Sequence, residues 1–221
     1  MRSWPRRAAA YLGAACFVVL LAGLTAPFLG ANRFAEPIRS GLQAALGRRV
    51  EIGDVHFNLL TGPGFVIDKV IIHEDPSFGA EPFAYVESLE ARPRLWALLL
   101  GKLEFTSLRL EEAIVNLTRV DNGGAAWDFA KLLHGARFEA LPDLHVRSGR
   151  INFKFGDVKS VFYVTNADLD ISPPGDEKGV LQIRFSGEPA RTDRAARGFG
   201  SFSAAGSWYP SGKLNLKVQV E

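Results

Sequence analysis

A single cysteine, Cys16, carries all the thiol chemistry of this 221-residue chain, and it lies inside an uncharged apolar run. A disulfide within the chain is therefore excluded, and so is a cysteine nucleophile in a soluble domain. Histidine is almost as scarce. His56, His73, His134 and His145 are scattered, without the spacing that brings imidazoles together on a metal. Neither a G-x-S-x-G elbow nor a P-loop occurs. Asp168 and Asp170 share one face of a strand and read as a solvated polar row rather than a catalytic pair. His73-Glu74-Asp75 precedes Pro76 and reads as loop. Asn116-Leu117-Thr118 has the form of a glycosylation sequon, which means nothing in a buried or bacterial setting. The chain is expected not to be an enzyme, and to need neither a cofactor nor a metal.

Acidic residues are missing from the first 33 positions, where Arg2, Arg6, Arg7 and Arg33 lie. Removing those four from the 26 basic residues leaves 22 against 24 acidic ones. A body so close to neutral lacks the concentrated basic face that phosphate backbones demand, so nucleic acid is not an expected partner. The 47% hydrophobic content argues against global disorder. The 22 glycines and 16 phenylalanines suit a β protein with many turns better than a helical bundle.

Ala8 to Leu29 contains no charge. At ~1.5 Å per residue its length is enough to cross a hydrocarbon core. Arg2, Arg6 and Arg7 precede it, while Arg33 on the far side is offset by Glu36. The positive-inside rule then puts the N-terminus in the cytoplasm and the body across the membrane. A cleaved signal peptide fits less well, because the best small-residue site would place Pro27 directly after Ala26. A lipoprotein reading of Cys16 meets the apolar run that continues through Phe17–Leu21. Residues 1–31 are expected to form a cytoplasmic tip and a transmembrane anchor.

Phe34 to Leu46 reads as a short amphipathic helix, with Pro37 early and Phe34, Ile38, Leu42 and Leu46 in one apolar stripe. Gly47 is its natural stop. Arg48 and Arg49 read as a solvated helix end. Val50 to Leu60 is expected to be a strand with Val55, Phe57 and Leu59 on one face. After the turn Thr61–Gly64, Phe65 to His73 returns, with Val66, Val70 and Ile72 on its buried face. Phe83 to Arg92 is the next strand, and Leu95 to Leu100 a short apolar helix. In Lys102–Arg119, KLEFTSLRLEEAIVNLTR, apolar residues alternate with polar ones. The phase slips between Phe105 and Leu108 and again near Glu112–Ala113, which marks a bulge or a tight connection. Asp121–Gly124 is a turn, and Ala126 to Leu133 a short helix.

These features come in a particular order. A spanning helix leads into a short helix ending Gly47-Arg48-Arg49-Val50, then the strand pair, Pro76 and the apolar LWALLLG at Leu95–Gly101. The strands through Asn116–Arg119 follow, then Asn122-Gly123-Gly124 before Trp127. Over roughly residues 8–135 the chain resembles the N-terminal region of the AsmA-like family of bacterial envelope proteins. The resemblance implies an inner-membrane, single-pass anchor and a periplasmic β-sheet curled into a long apolar groove. It also implies a part in moving phospholipid towards the outer membrane or in maintaining that membrane. The groove is similar to that of bridge-like lipid transfer proteins with a chorein-type start. Members of the family are usually much longer. This chain stops inside a strand at Lys217–Glu221, so a fragment, or dependence on partners, is expected.

From Leu144 onward the alternation is regular. Ile151, Phe153 and Phe155 form one row; Phe162 and Val164, Leu169 and Ile171, Leu181, Ile183 and Phe185, and Leu214 to Val220 form others. Turns lie at Gly156-Asp157, Pro173–Asp176 and Ser211-Gly212, so the segment reads as an antiparallel meander. Gly187 to Gly198 reads as a solvated connection, with Arg191, Arg194 and Arg197 as an alternative basic tip. The expected fold is mainly β: a transmembrane helix, a β/α unit over 32–135, and a meander over 136–221 that continues one antiparallel, curled sheet. An antiparallel sheet can leave one face to water, but its apolar face needs a cover. Few helical segments are present to supply one. Acyl chains in an open groove are one cover, a closed sandwich core the other. Phe57, Phe105, Phe153, Phe155, Phe162, Phe185 and Leu216 are the candidate lipid-binding residues, each on the apolar row of its strand. Phospholipid acyl chains and the membrane are the expected partners. An anchored scaffold that binds envelope proteins at a sheet edge is the alternative.

Overall fold

The computed structural model describes residues 31–58, 62–76, 79–94, 96–97, 100, 104–119, 141–155, 158–173, 180–193, 199–209 and 211–221, together with Tyr11, Phe17 and Val18. A 3-10 turn at Ala31–Phe34 leads into helix α1 (Ala35–Leu46). The strands follow as β1 (Val50–Glu51), β2 (Val55–Asn58), β3 (Gly64–Ile72), β4 (Ala84–Pro93), β5 (Phe105–Glu111) and β6 (Ile114–Arg119). Then come β7 (Asp143–Phe155), β8 (Val158–Ser172), β9 (Leu181–Arg191), β10 (Phe202–Trp208) and β11 (Leu214–Val220). All eleven belong to one sheet, in the order β1-β3-β4-β5-β7-β8-β9-β10-β11, with β2 against β3 and β6 against β4 and β7. No helix of the described residues is long and apolar enough to cross a membrane. The expected span at 8–29 lies outside them apart from Tyr11, Phe17 and Val18, which are helical and exposed. The expected helix at 126–133 also lies outside them.

Helix α1 forms where the stripe and the punctuation agree. Gly47 takes φ 62°, and its N–H donates to the Gln43 carbonyl at 2.9 Å, ending the helix in a left-handed cap. The stripe lies on the first strands: Ile38 is buried, and Phe34, Leu42 and Leu46 pack against Val50, Val55, Phe65, Ile67, Val70, Val86, Leu89 and Ala91. Phe65 sits between Phe34 and Phe57, with ring centroids 5.1 and 5.4 Å away. Two side chains also stitch helix to sheet. Asn32 Oδ1 accepts from the Val55 N–H at 2.9 Å, and Gln43 Oε1 from the Val50 N–H at 3.3 Å.

The expected strand over 50–60 is broken into β1 and β2. Gly53 turns its N–H onto the Asp68 carbonyl at 2.9 Å, and the Asp68 N–H donates to the Asp54 carbonyl at 3.0 Å. A Cβ at Gly53 would come within 2.6 Å of that Asp68 oxygen, so a side chain does not fit. The neighbouring Lys69 has φ 52°. This left-handed residue breaks the alternation, and the buried face passes from Phe65 and Ile67 to Val70. Val66, expected inside, instead opposes His56 and Glu90 on the other face.

Both phase slips in 102–119 are irregularities in strand pairing. Pro93 opposes Phe105 while Arg92 opposes Ser107, so Thr106 is extra in β5. Glu112, at φ 52°, separates β5 from β6. These two strands run in line along β7, with Ser107–Glu111 beside Asp143–Arg147 and Ile114–Arg119 beside Arg150–Phe155. Both pairings are parallel, which corrects the expectation of a wholly antiparallel sheet. Parallel neighbours need a crossover of about a dozen residues or more, and the long segment between β6 and β7 provides that length. From β7 to β11 the sheet is an antiparallel meander, as expected, but β9 runs on through Gly187–Arg191, which the sequence had placed in a solvated connection. Strand β10 was not anticipated, because its alternation of Phe202, Ala204, Gly206 and Trp208 is diluted by small residues.

Candidate functional site

Opposed residues on neighbouring strands share a face, so the register can be followed across the sheet. One such row runs Phe57, Phe65, Ala91, Leu108, Leu144, Ile171, Ile183, Gly206, Leu216. Phe105 opposes Pro93 on that face. Phe153 opposes Leu117, Phe155 opposes Val158, Phe162 opposes Arg191, and Phe185 lies between Leu169 and Ala204. Left-handed Ser148 and Asn166 (φ 53° and 48°) absorb the register shifts in β7 and β8, so the apolar face carries through. The register thus places all seven candidate residues on one face.

Their environments differ along that face. Phe57 and Phe105 are partly buried and pack against the core that also takes the α1 stripe. Phe153 and Phe185 are half-buried, the latter with its ring 5.4 Å from Phe202. Phe155 and Phe162 are 59% and 52% exposed, and Leu216, Val218 and Val220 are 47%, 58% and 77% exposed. Among the described residues, the apolar face is therefore roofed by α1 at the β1–β4 end and has no cover towards β11. Sequence reasoning overlooked Phe202 and Trp208 on this row; their period-two spacing was the available signal.

The opposite face is polar and internally paired. His145 Nδ1–H donates to Asp170 Oδ1 at 2.7 Å, and Arg147 donates to the same oxygen at 2.6 Å. Burial pushes the Asp170 carboxyl up, but these two bonds and the adjacent positive charge outweigh it and hold the group below its ordinary range. Asp168 accepts from the Ser148 N–H at 2.9 Å. These contacts are those of a structural polar cluster. The loop before β4 crosses this face. Asn116 donates to the Pro82 carbonyl at 2.8 Å, and Lys154, only 5% exposed, lies 3.3 Å from Glu81. Asn116 and Thr118 of the sequon are buried. Arg48 pairs with Glu74 and lies over the Phe83 ring. Of the alternative basic tip, Arg191 is bound to Asp193 at 2.7 Å and stacks on Phe162; Arg194 and Arg197 lie outside the described residues. Among the described residues, no group of three His, Cys, Asp or Glu is placed to hold a metal.

Among the described residues, a single long sheet, apolar along one face and capped there by α1, defines a β-sheet protein organised around that face. The chain belongs to the AsmA family, whose model matches residues 5–158. Membership suggests a function in the cell envelope. No curated protein matches the chain.

Proposed function

We propose that this protein holds phospholipid acyl chains along the unroofed part of its apolar sheet face, as a step in phospholipid transport or outer-membrane maintenance. The observation that carries the reading is the exposed apolar row from Phe155 and Phe162 to Leu216, Val218 and Val220, continuous in register with the packed core. Water is a poor cover for such a row, and phenylalanine packs on an acyl chain without a polar group that needs a partner. Phe153 and Phe185 line the passage between roofed and bare regions. The sheet curls into a groove around the chains. The reading assigns no catalytic step and no cofactor.

The same proposal places the protein in the bacterial inner membrane, with residues 8–29 as a single span, the N-terminus in the cytoplasm and the sheet in the periplasm. The arginine asymmetry around that span supports this orientation. Reporter fusions after Gly135 test it: a periplasm-dependent reporter is expected to be active there, and activity of a cytoplasm-only reporter refutes the orientation. Native mass spectrometry of the extracted protein tests the lipid reading. Bound phospholipid is expected. Its absence, together with a co-purifying envelope protein, favours a scaffold that pairs with partners through a sheet edge.

A further inference from the structure

We propose that the polar face carries an anion site built for a phosphate ester, in a cavity of about 500 Å³ between β6, β7, β8 and the end of β9. Arg150, Lys159, Asn116, Asn152, Ser160 and Tyr163 contribute to its lining, which contains no carboxylate among the described residues. Its position comes from the register. Asn116 opposes Asn152, which opposes Tyr163, on the face turned away from Phe153. The site is thus separate from the apolar row and does not depend on what occupies it.

Three observations point to an anion. The first is the way Arg150 is held. Its Nε–H donates to Asn152 Oδ1 at 2.8 Å, Asn152 Nδ2 donates to Asn116 Oδ1 at 2.9 Å, and Asn116 Nδ2 donates to the Pro82 carbonyl at 2.8 Å. Each bond in this one-directional chain polarises the next. The guanidinium also lies 4.0 Å over the Tyr163 ring, so both its edge and its plane are set. Among the described residues no hydrogen bond engages its two terminal nitrogens, which suits a bidentate oxyanion. The second observation is charge. Beside Arg150 in the lining, Lys159 shares one carboxylate, Glu81, with the buried Lys154: Glu81 lies 2.8 Å from Lys159 and 3.3 Å from Lys154. Arg150 has no carboxylate partner among the described residues, so the neighbourhood keeps a positive excess. The third is size. Inorganic phosphate would leave most of this cavity empty, whereas small-molecule sites span about 300–1,000 Å³. The chemistry therefore fits a phosphate carrying an organic substituent, either a free phosphoester or a phospholipid headgroup.

The test uses the full chain and three probes: inorganic phosphate, glycerol 3-phosphate and short-chain dihexanoyl phosphatidylglycerol, each titrated calorimetrically. Saturable binding of at least one ester is expected. Arg150→Lys and Lys159→Gln should each weaken it at least tenfold without changing the melting temperature. Binding of the short-chain lipid at least tenfold tighter than glycerol 3-phosphate assigns the site to a headgroup; equal or weaker binding assigns it to a free ester. Modification of Arg150 by phenylglyoxal in the unaltered protein, followed by mass spectrometry, covers the case in which a variant does not fold. At least fivefold slowing by the bound ester is expected. Absence of saturable binding by all three probes, equal binding in both folded variants, or an unchanged modification rate overturns the proposal. Loss of acyl-chain binding at the apolar face, with ester binding intact, would count only against the lipid-groove reading.

Discussion

Leu216→Glu separates a lipid-holding face from an ordinary core. Leu216 lies in β11 opposite Gly206, on the face shared with Ile183 and Ile171, and 47% of its surface is open. In the lipid-free protein the new carboxylate stays hydrated. The cost to folding should remain within about 1 kcal/mol, the scale set by surface substitution and by glutamate's low strand preference. With an acyl chain over the same position, water is excluded. Covering leucine fully is worth ~1.5–3 kcal/mol, so its open half offers about 1 kcal/mol to a lipid. The substitution removes that contribution and adds a desolvated charge at a cost of several kcal/mol. The carboxylate escapes part of this cost by expelling the lipid. A net penalty of roughly 3 kcal/mol corresponds to about a hundredfold loss of occupancy. Urea unfolding of delipidated protein and native mass spectrometry of bound phospholipid measure the two effects separately. The expected result is a nearly unchanged unfolding midpoint with lipid lost. A destabilisation above about 2 kcal/mol would mean that this end is packed like a core, and retained lipid would mean that acyl chains lie elsewhere. Either outcome refutes the reasoning.

Phe65→Ala should behave in the opposite way. Phe65 is 1% exposed beneath α1, and the truncation should cost about 3–5 kcal/mol in urea unfolding. Gly149→Ala brings a Cβ within 3.0 and 3.1 Å of the Ala167 and Ala113 carbonyl oxygens. It should lower the unfolding free energy by about 1–3 kcal/mol, as overpacking generally does. Asp170 has a depressed folded pKa, so its contribution to stability is present above the unfolded value of about 3.9 and is lost as pH falls through the folded value. Asp170→Asn should remove that part of the acid dependence while lowering stability at neutral pH, as measured by thermal melts across the acid range.

Periodicity alone determined helix α1, its Gly47 stop, strands β7, β8 and β11 and the first half of β9, and the positions of both slips in the central stretch. These follow from local rules: a helical stripe every three to four residues, a glycine where φ is positive, and alternation along a strand. Most of the apolar row was legible for the same reason, but Val66 was read onto the wrong face of β3, and Phe202 and Trp208 were missed. Tertiary structure decided what each row meets. Phe57 and Leu216 share a face, yet the α1 stripe packs over the β1–β4 end and leaves β11 bare, a difference that no local pattern encodes. The parallel setting of β5 and β6 against β7 depends on where a long connection returns the chain. The breaks at Lys69, Ser148 and Asn166 place ordinary residues at positive φ, where no glycine announces the change of phase. The anion cavity is likewise a product of register. Asn116 lies 36 residues before Asn152, and strand pairing sets it beside Asn152 and Tyr163, against which Arg150 is held.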